Sequence, residues 1–107
     1  MAALMLLTTA AQASVDSCLL PDTPGLPDGA TANLSTMVAG QQAVKAYMAE
    51  AEAYLDCLIA QESAAAASET EELRLVRLQA HDSAVEAMET LAEAFNAEIR
   101  EYKAQGS

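Results

Sequence analysis

Basic side chains are scarce in this chain. Five lysines and arginines stand against 16 aspartates and glutamates in 107 residues, a formal charge of −11. That shortage argues against nucleic-acid binding, which needs Lys and Arg to displace phosphate counterions, and against adsorption to an anionic membrane surface. Histidine occurs once, at His81, with no plausible serine or cysteine arrangement around it for nucleophilic catalysis. A Gly-rich phosphate loop is missing as well. No C-x-x-C is present, so neither a dithiol redox motif nor c-type haem attachment is indicated. Glycine and proline are absent between Gly40 and Gly106, which leaves nothing there to punctuate a helix. β-Branched residues are few and nothing alternates with period two, so strands are not expected. The hydrophobic share of 52% overstates the core, because 25 residues are alanine, which favours helix but buries little area. The length allows one domain and is too short for a large enzyme with its own deep cleft.

What is present begins with an apolar stretch, Met1 to Ala11, too short to span a bilayer. Ala11-Gln12-Ala13 follows as an A-x-A site, and then polar Ser14. This order predicts a secretory signal peptide over residues 1–13, cut after Ala13, although no Lys or Arg precedes the apolar run. An apolar helix belonging to the fold is the alternative. Asp16, two residues before Cys18, fits a lipoprotein signal poorly. The expectation is therefore a soluble exported protein without membrane insertion. The two cysteines, Cys18 and Cys57, are an even number that an oxidising compartment would pair; two independent buried thiols are the alternative.

Residues 14–30 hold all three prolines. Pro21, Pro24 and Pro27 recur at the turn length of polyproline II, which predicts an extended arm. The alternative use, a P-x-x-P ligand for an adaptor domain, suits an exported protein less well. From Thr31, a reasonable N-cap, the apolar pattern runs Met37, Gln41, Val44, Met48, Ala51, Leu55, Leu58. A second stripe runs Leu78, His81, Val85, Met88, Ala92, Phe95, Ile99, Tyr102. Extending the first stripe misses the second by two residues, and the break falls in Ser63-Ala64-Ala65-Ala66-Ala67-Ser68. Ser68 and Glu71 form an S-x-x-E capping box, Glu69, Glu71 and Glu72 suit a first turn, and Arg100 and Lys103 suit a last one. Residues 31–107 thus read as an antiparallel helical hairpin with helices at about 31–63 and 69–104.

Lengths bear on the cysteine pairing. From Thr31 to Cys57 a helix climbs 26 residues at about 1.5 Å each, roughly 39 Å. From Cys18 to Thr31 a polyproline II arm covers 13 residues at about 3.1 Å each, roughly 40 Å. The expected fold is all-α: a two-helix hairpin whose Pro-rich arm doubles back and is stapled by a Cys18–Cys57 disulfide. A hairpin that buries one stripe per helix is marginal alone, so a staple helps. Leu19, Leu20 and Leu26 would form a third layer. The alternative cover is a second copy, a homodimeric four-helix bundle.

Several blocks carry a resemblance: Pro27-Asp28-Gly29-Ala30-Thr31, Gln41-Gln42-Ala43-Val44-Lys45-Ala46-Tyr47 and Tyr54-Leu55-Asp56-Cys57-Leu58 in the first half, then Ala84-Val85-Glu86-Ala87-Met88-Glu89 and Phe95 to Lys103. In their order and spacing the chain resembles a family of small, uncharacterised exported α-helical proteins of Gram-negative bacteria. The likeness covers most of the chain after Ala13 and is poorest over Ser63 to Arg77. It implies a periplasmic address and supplies no activity or functional residue.

Candidate chemistry is thin. His81 lacks the E-x-x-H partner of di-iron bundles, since Leu78 stands three residues before it, and zinc would require Cys or His companions. Met37, Met48 and Met88 lie on the stripes, where adaptable core filling outweighs a copper site. No metal or cofactor is expected. Asp82, Glu86, Glu89 and Glu93, spaced 4-3-4, form an acidic ridge along one helix face. Like charges at i,i+4 repel by a few tenths of a kcal/mol each, an effect that solvent, a cation or a basic protein partner offsets. The expectation is a non-catalytic periplasmic interaction or accessory protein offering that ridge to a protein partner. The alternative is an acid-activated chaperone, in which protonated carboxylates free the apolar stripes for unfolded clients.

Overall fold

The computed structural model describes residues 18–106; the expected signal peptide and cleavage site lie outside the described residues. Two helices, α1 (Leu34–Ala65) and α2 (Glu71–Ala104), account for the regular structure, and there is no strand among the described residues. The fold is all-α. Residues 18–33 carry no helix or strand.

Helix α1 starts three residues later than its spacing predicts. Thr31 belongs to a turn closed by Asp28, whose carbonyl accepts from Thr31 N at 3.1 Å and Ala32 N at 2.8 Å. The cap is Asn33, in extended backbone, whose side-chain oxygen accepts from Thr36 N at 2.9 Å. Asparagine serves as an N-cap as well as threonine does, and the Asp28 turn takes Thr31 out of contention. At the other end α1 runs through Ala65, and the amides of Ser68 and Glu69 both donate to the Ala65 carbonyl. The turn needs no left-handed residue, so an alanine run can make it. Ser68 does not cap α2: its hydroxyl donates back to Ala65 O at 3.5 Å. Thr70 takes that role, its hydroxyl accepting from Leu73 N at 3.2 Å, with Glu71 and Glu72 in the first turn and Lys103 in the last.

The buried seam is rotated from the sequence stripes. Helix α1 buries Met37, Gly40, Val44, Tyr47, Ala51, Tyr54 and Leu58, so Gly40, Tyr47 and Tyr54 replace the expected Gln41, Met48 and Leu55. Helix α2 buries Arg77, Ala84, Leu91 and Phe95 in place of Leu78, Val85 and Ala92. Residues 18–33 supply the reason. They cover one flank of the helix pair, and that flank draws the neighbouring positions inward. Leu20 and Leu26 pack on Met37, Val44, Tyr47, Ala51, Leu91 and Phe95, while Cys18 joins Tyr54, Leu58 and Ala84 in a second cluster that Leu20 also touches. Ala51 and Ala84 are fully buried, and their small size lets the helix backbones approach.

Two contacts anchor these residues. Cys18 and Cys57 form a disulfide with a Cα–Cα distance of 5.8 Å, within the ordinary range. Near the other end, Gly29 is buried on α2, where its amide donates to Glu98 Oε1 at 2.9 Å. Gln105 Nε2 donates to Gly29 O and, at 3.0 Å, to Ala32 O. Pro27 lies on Gly40, where a Cβ would come within 2.8 Å of the proline ring.

Candidate functional site

Asp82, Glu86, Glu89 and Glu93 are all exposed. At about 100° per residue they fall on the side of α2 opposite Arg77, Ala84, Leu91 and Phe95, which are buried. The ridge therefore points away from α1. Asp82 approaches His81, with Oδ1 3.6 Å from Nδ1, and both side chains are open to solvent. Glu86 borders a shallow depression shared with Thr23, Ala87 and Leu91, so the N-terminal segment reaches the edge of the ridge. Glu93 borders another with Asn96 and Arg100. Among the described residues no group of three or more His, Cys, Asp or Glu side chains converges to hold a metal ion. A row of carboxylates on one helix offers a linear display of negative charge, suited to a row of basic groups on a protein.

His81 does not lie in the seam. Its side chain is 41% exposed at the rim of a cavity of about 40 Å3 lined by Leu58, Ile59, Glu62, Arg74 and Arg77. Met37 is buried, and Met48 and Met88 pack against the same cluster, so all three fill the core.

The spacing does not anticipate Arg77. It is buried, at 8% exposure, and pairs with a buried Glu69. Glu69 thus precedes the Thr70 cap and serves this pair instead of α2's first turn. Arg77 Nε finds no hydrogen-bond partner among the described residues. The available signal is the seven-residue series Arg77, Ala84, Leu91, which places arginine on the buried line of α2. Nearby, exposed Glu71 and Arg74 form a bidentate pair, with Arg74 Nε 3.1 Å from Glu71 Oε2 and Nη2 2.6 Å from Oε1. The hydrogen bonds and charge of Arg74 hold the Glu71 carboxyl below its ordinary value, and Glu71 in turn raises Arg74.

Large apolar side chains are exposed beside this pair. Leu73, Leu75, Val76 and Leu78 are 45–53% exposed, and Leu75 and Leu78 continue the line of the acidic ridge toward the inter-helix turn. No helix among the described residues is long and apolar enough to cross a membrane. Comparison with protein-family models, with curated proteins and with solved structures finds no match to the chain.

Proposed function

We propose that this chain is a non-catalytic accessory protein of the periplasm that offers the acidic face of α2 to a basic protein partner. Its architecture in this proposal is an antiparallel two-helix hairpin. From Cys18 onward the Pro-rich segment runs back along the hairpin as an arm stapled by Cys18–Cys57. The observation that carries the role is the exposure of Asp82, Glu86, Glu89 and Glu93 in one line turned away from α1. A disulfide fits an oxidising compartment, and the apolar start followed by Ala11-Gln12-Ala13 fits export with cleavage after Ala13. The test is capture of partners from an envelope extract by the native chain and by a variant carrying D82N, E86Q, E89Q and E93Q. Loss of capture by the variant is expected; undiminished capture would refute the ridge.

A second reading is supported by Leu75 and Leu78, which lie exposed in line with the ridge. Protonation of the ridge would join these residues to a neutral face, and the chain would then act as an acid-activated chaperone. Light scattering of an aggregating client at acidic pH, with and without the protein, decides between the two. An unaffected client removes the chaperone.

A further inference from the structure

The helix pair has two flanks, and residues 18–33 cover only one. On the covered flank lie Cys57 and Gly40 of α1 and Ala87 and Ala94 of α2, against Cys18, Pro27 and Thr23. Among the described residues nothing covers the other flank. On α1 it presents Leu34, Val38, Gln41, Met48, Leu55 and Ile59, of which Leu34, Val38 and Ile59 are 63%, 42% and 52% exposed. On α2 it presents Leu78, Val85, Met88, Ala92 and Ile99, with Leu78 45% exposed. These include the stripe positions that the rotated seam leaves out: the apolar pattern of both helices is wider than what the monomer buries. A groove between Leu34, Val38, Phe95 and Ile99 marks one end of this flank, and the Ile59, Leu78 and His81 cavity marks the other.

We propose that a second copy of this chain covers the open flank, with a two-fold axis passing between residues 48 and 49 of α1, to make a four-helix bundle. Lys45 and Glu52 point to that occupant and that register. Exposed Lys45 and Glu52 sit seven residues apart on one line of α1, symmetric about this point. An antiparallel copy then sets each Lys45 opposite the Glu52 of the other, twice per dimer. The same axis sets Val38 opposite Ile59 and brings the two copies of Met48 close together beside it. On α2, which is antiparallel to its own copy, the same exchange of ends sets Ile99 opposite Leu78 and Val85 opposite Ala92. Asp56, Glu62 and Glu89 stand at the rim, and the ridge from Asp82 to Glu93 faces outward. The flank from Leu34 to Ile59 is about 38 Å long and two helices, about 20 Å, wide. It would bury about 1,500 Å2 in total, the size of a stable specific interface.

Sedimentation equilibrium of the disulfide-intact chain across the micromolar range tests this, with far-UV circular dichroism run on every variant. A dimer is expected. Lys45→Glu and Glu52→Lys each set like charges opposite one another twice and raise the dimer Kd by about tenfold or more. The double exchange K45E/E52K restores the native value, and Ile59→Glu leaves a helical monomer. Neutralising the four ridge carboxylates leaves the dimer intact, which separates this proposal from the ridge. A monomer throughout the range overturns it, as does a heteromer that forms through Ile59 in place of a dimer. A K45E/E52K chain that stays dissociated overturns the register. Loss of helicity in the native chain would strike the paired helices themselves, whereas loss of the dimer with helicity kept strikes only this proposal.

Discussion

Substituting Gly29 by alanine tests how residues 18–33 are seated. The glycine has an ordinary negative φ, so its role is steric, not conformational. A Cβ there overlaps the Glu98 carbonyl oxygen, lies 2.7 Å from the carbonyl carbon and 3.1 Å from Glu101 Cβ. Backbone of a helix interior cannot move aside as a flexible side chain can. The Asp28 turn must lift instead, and it takes with it the Gly29–Glu98 bond and the Gln105 bonds to Gly29 and Ala32. Overpacking of this kind costs about 1–3 kcal/mol. Each lost hydrogen bond adds about 1 kcal/mol, partly relieved where the freed groups reach water. The expected loss is about 2–4 kcal/mol, or about 10–25 °C in Tm for a domain of this size. Thermal and urea unfolding of the oxidised protein, followed at the helical circular-dichroism band, measures it. Gly25 is the internal control: no heavy atom lies within 4 Å of its would-be Cβ. Gly25→Ala should change stability by less than about 1 kcal/mol, with a slight gain from the stiffer unfolded chain. If Gly29→Ala and Gly25→Ala behave alike, the seat of Gly29 on α2 is wrong.

The other predictions use the same unfolding assay. Reducing the disulfide, or Cys57→Ser, removes a loop closure of 39 residues and should lower stability by about 4 kcal/mol on loop-entropy grounds; two free thiols in natively purified protein would contradict the bond. Asn33→Ala and Thr70→Ala should each cost about 1 kcal/mol as lost caps, while Thr31→Ala and Ser68→Ala change little; equal effects at all four positions would count against the assigned helix starts. Arg77→Ala leaves Glu69 buried without its cation and should cost about 3–5 kcal/mol, most of it recovered by adding Glu69→Gln; purely additive losses in that double-mutant cycle would dissolve the pair.

Much of the helical half was legible in the residues. The stretch between Gly40 and Gly106 holds good helix formers without glycine or proline, and propensity summed over such a length is informative. The break near Ser63–Ser68 could be read because the two stripes do not share a register. The boundaries were less legible. Thr31 and Asn33, or Ser68 and Thr70, are equivalent N-cap types, and only the backbone bonds of Asp28 and Ala65 choose between them. Of the candidate site, the acidic ridge could be read from its 4-3-4 spacing, since exposed charge follows helix geometry. The Arg77–Glu69 pair could not: the series Arg77, Ala84, Leu91 puts the arginine on one line of α2, but which line is buried, and that Glu69 lies beside it, depends on what packs across from it.

Local composition by itself therefore determined that the chain is helical, where it breaks, how its charge is distributed, and which two sulfurs were there to be joined. The tertiary structure alone decided which side of each apolar stripe turns inward. A stripe three residues wide in every seven can be buried at either edge, and helix propensity is blind to that choice. The choice comes from a segment without regular structure: Cys18, Leu20, Pro27 and Gly29 rest on one flank and rotate Gly40, Tyr47 and Tyr54 into the seam. Such contacts join residues far apart in the chain, and no spacing within either helix encodes them.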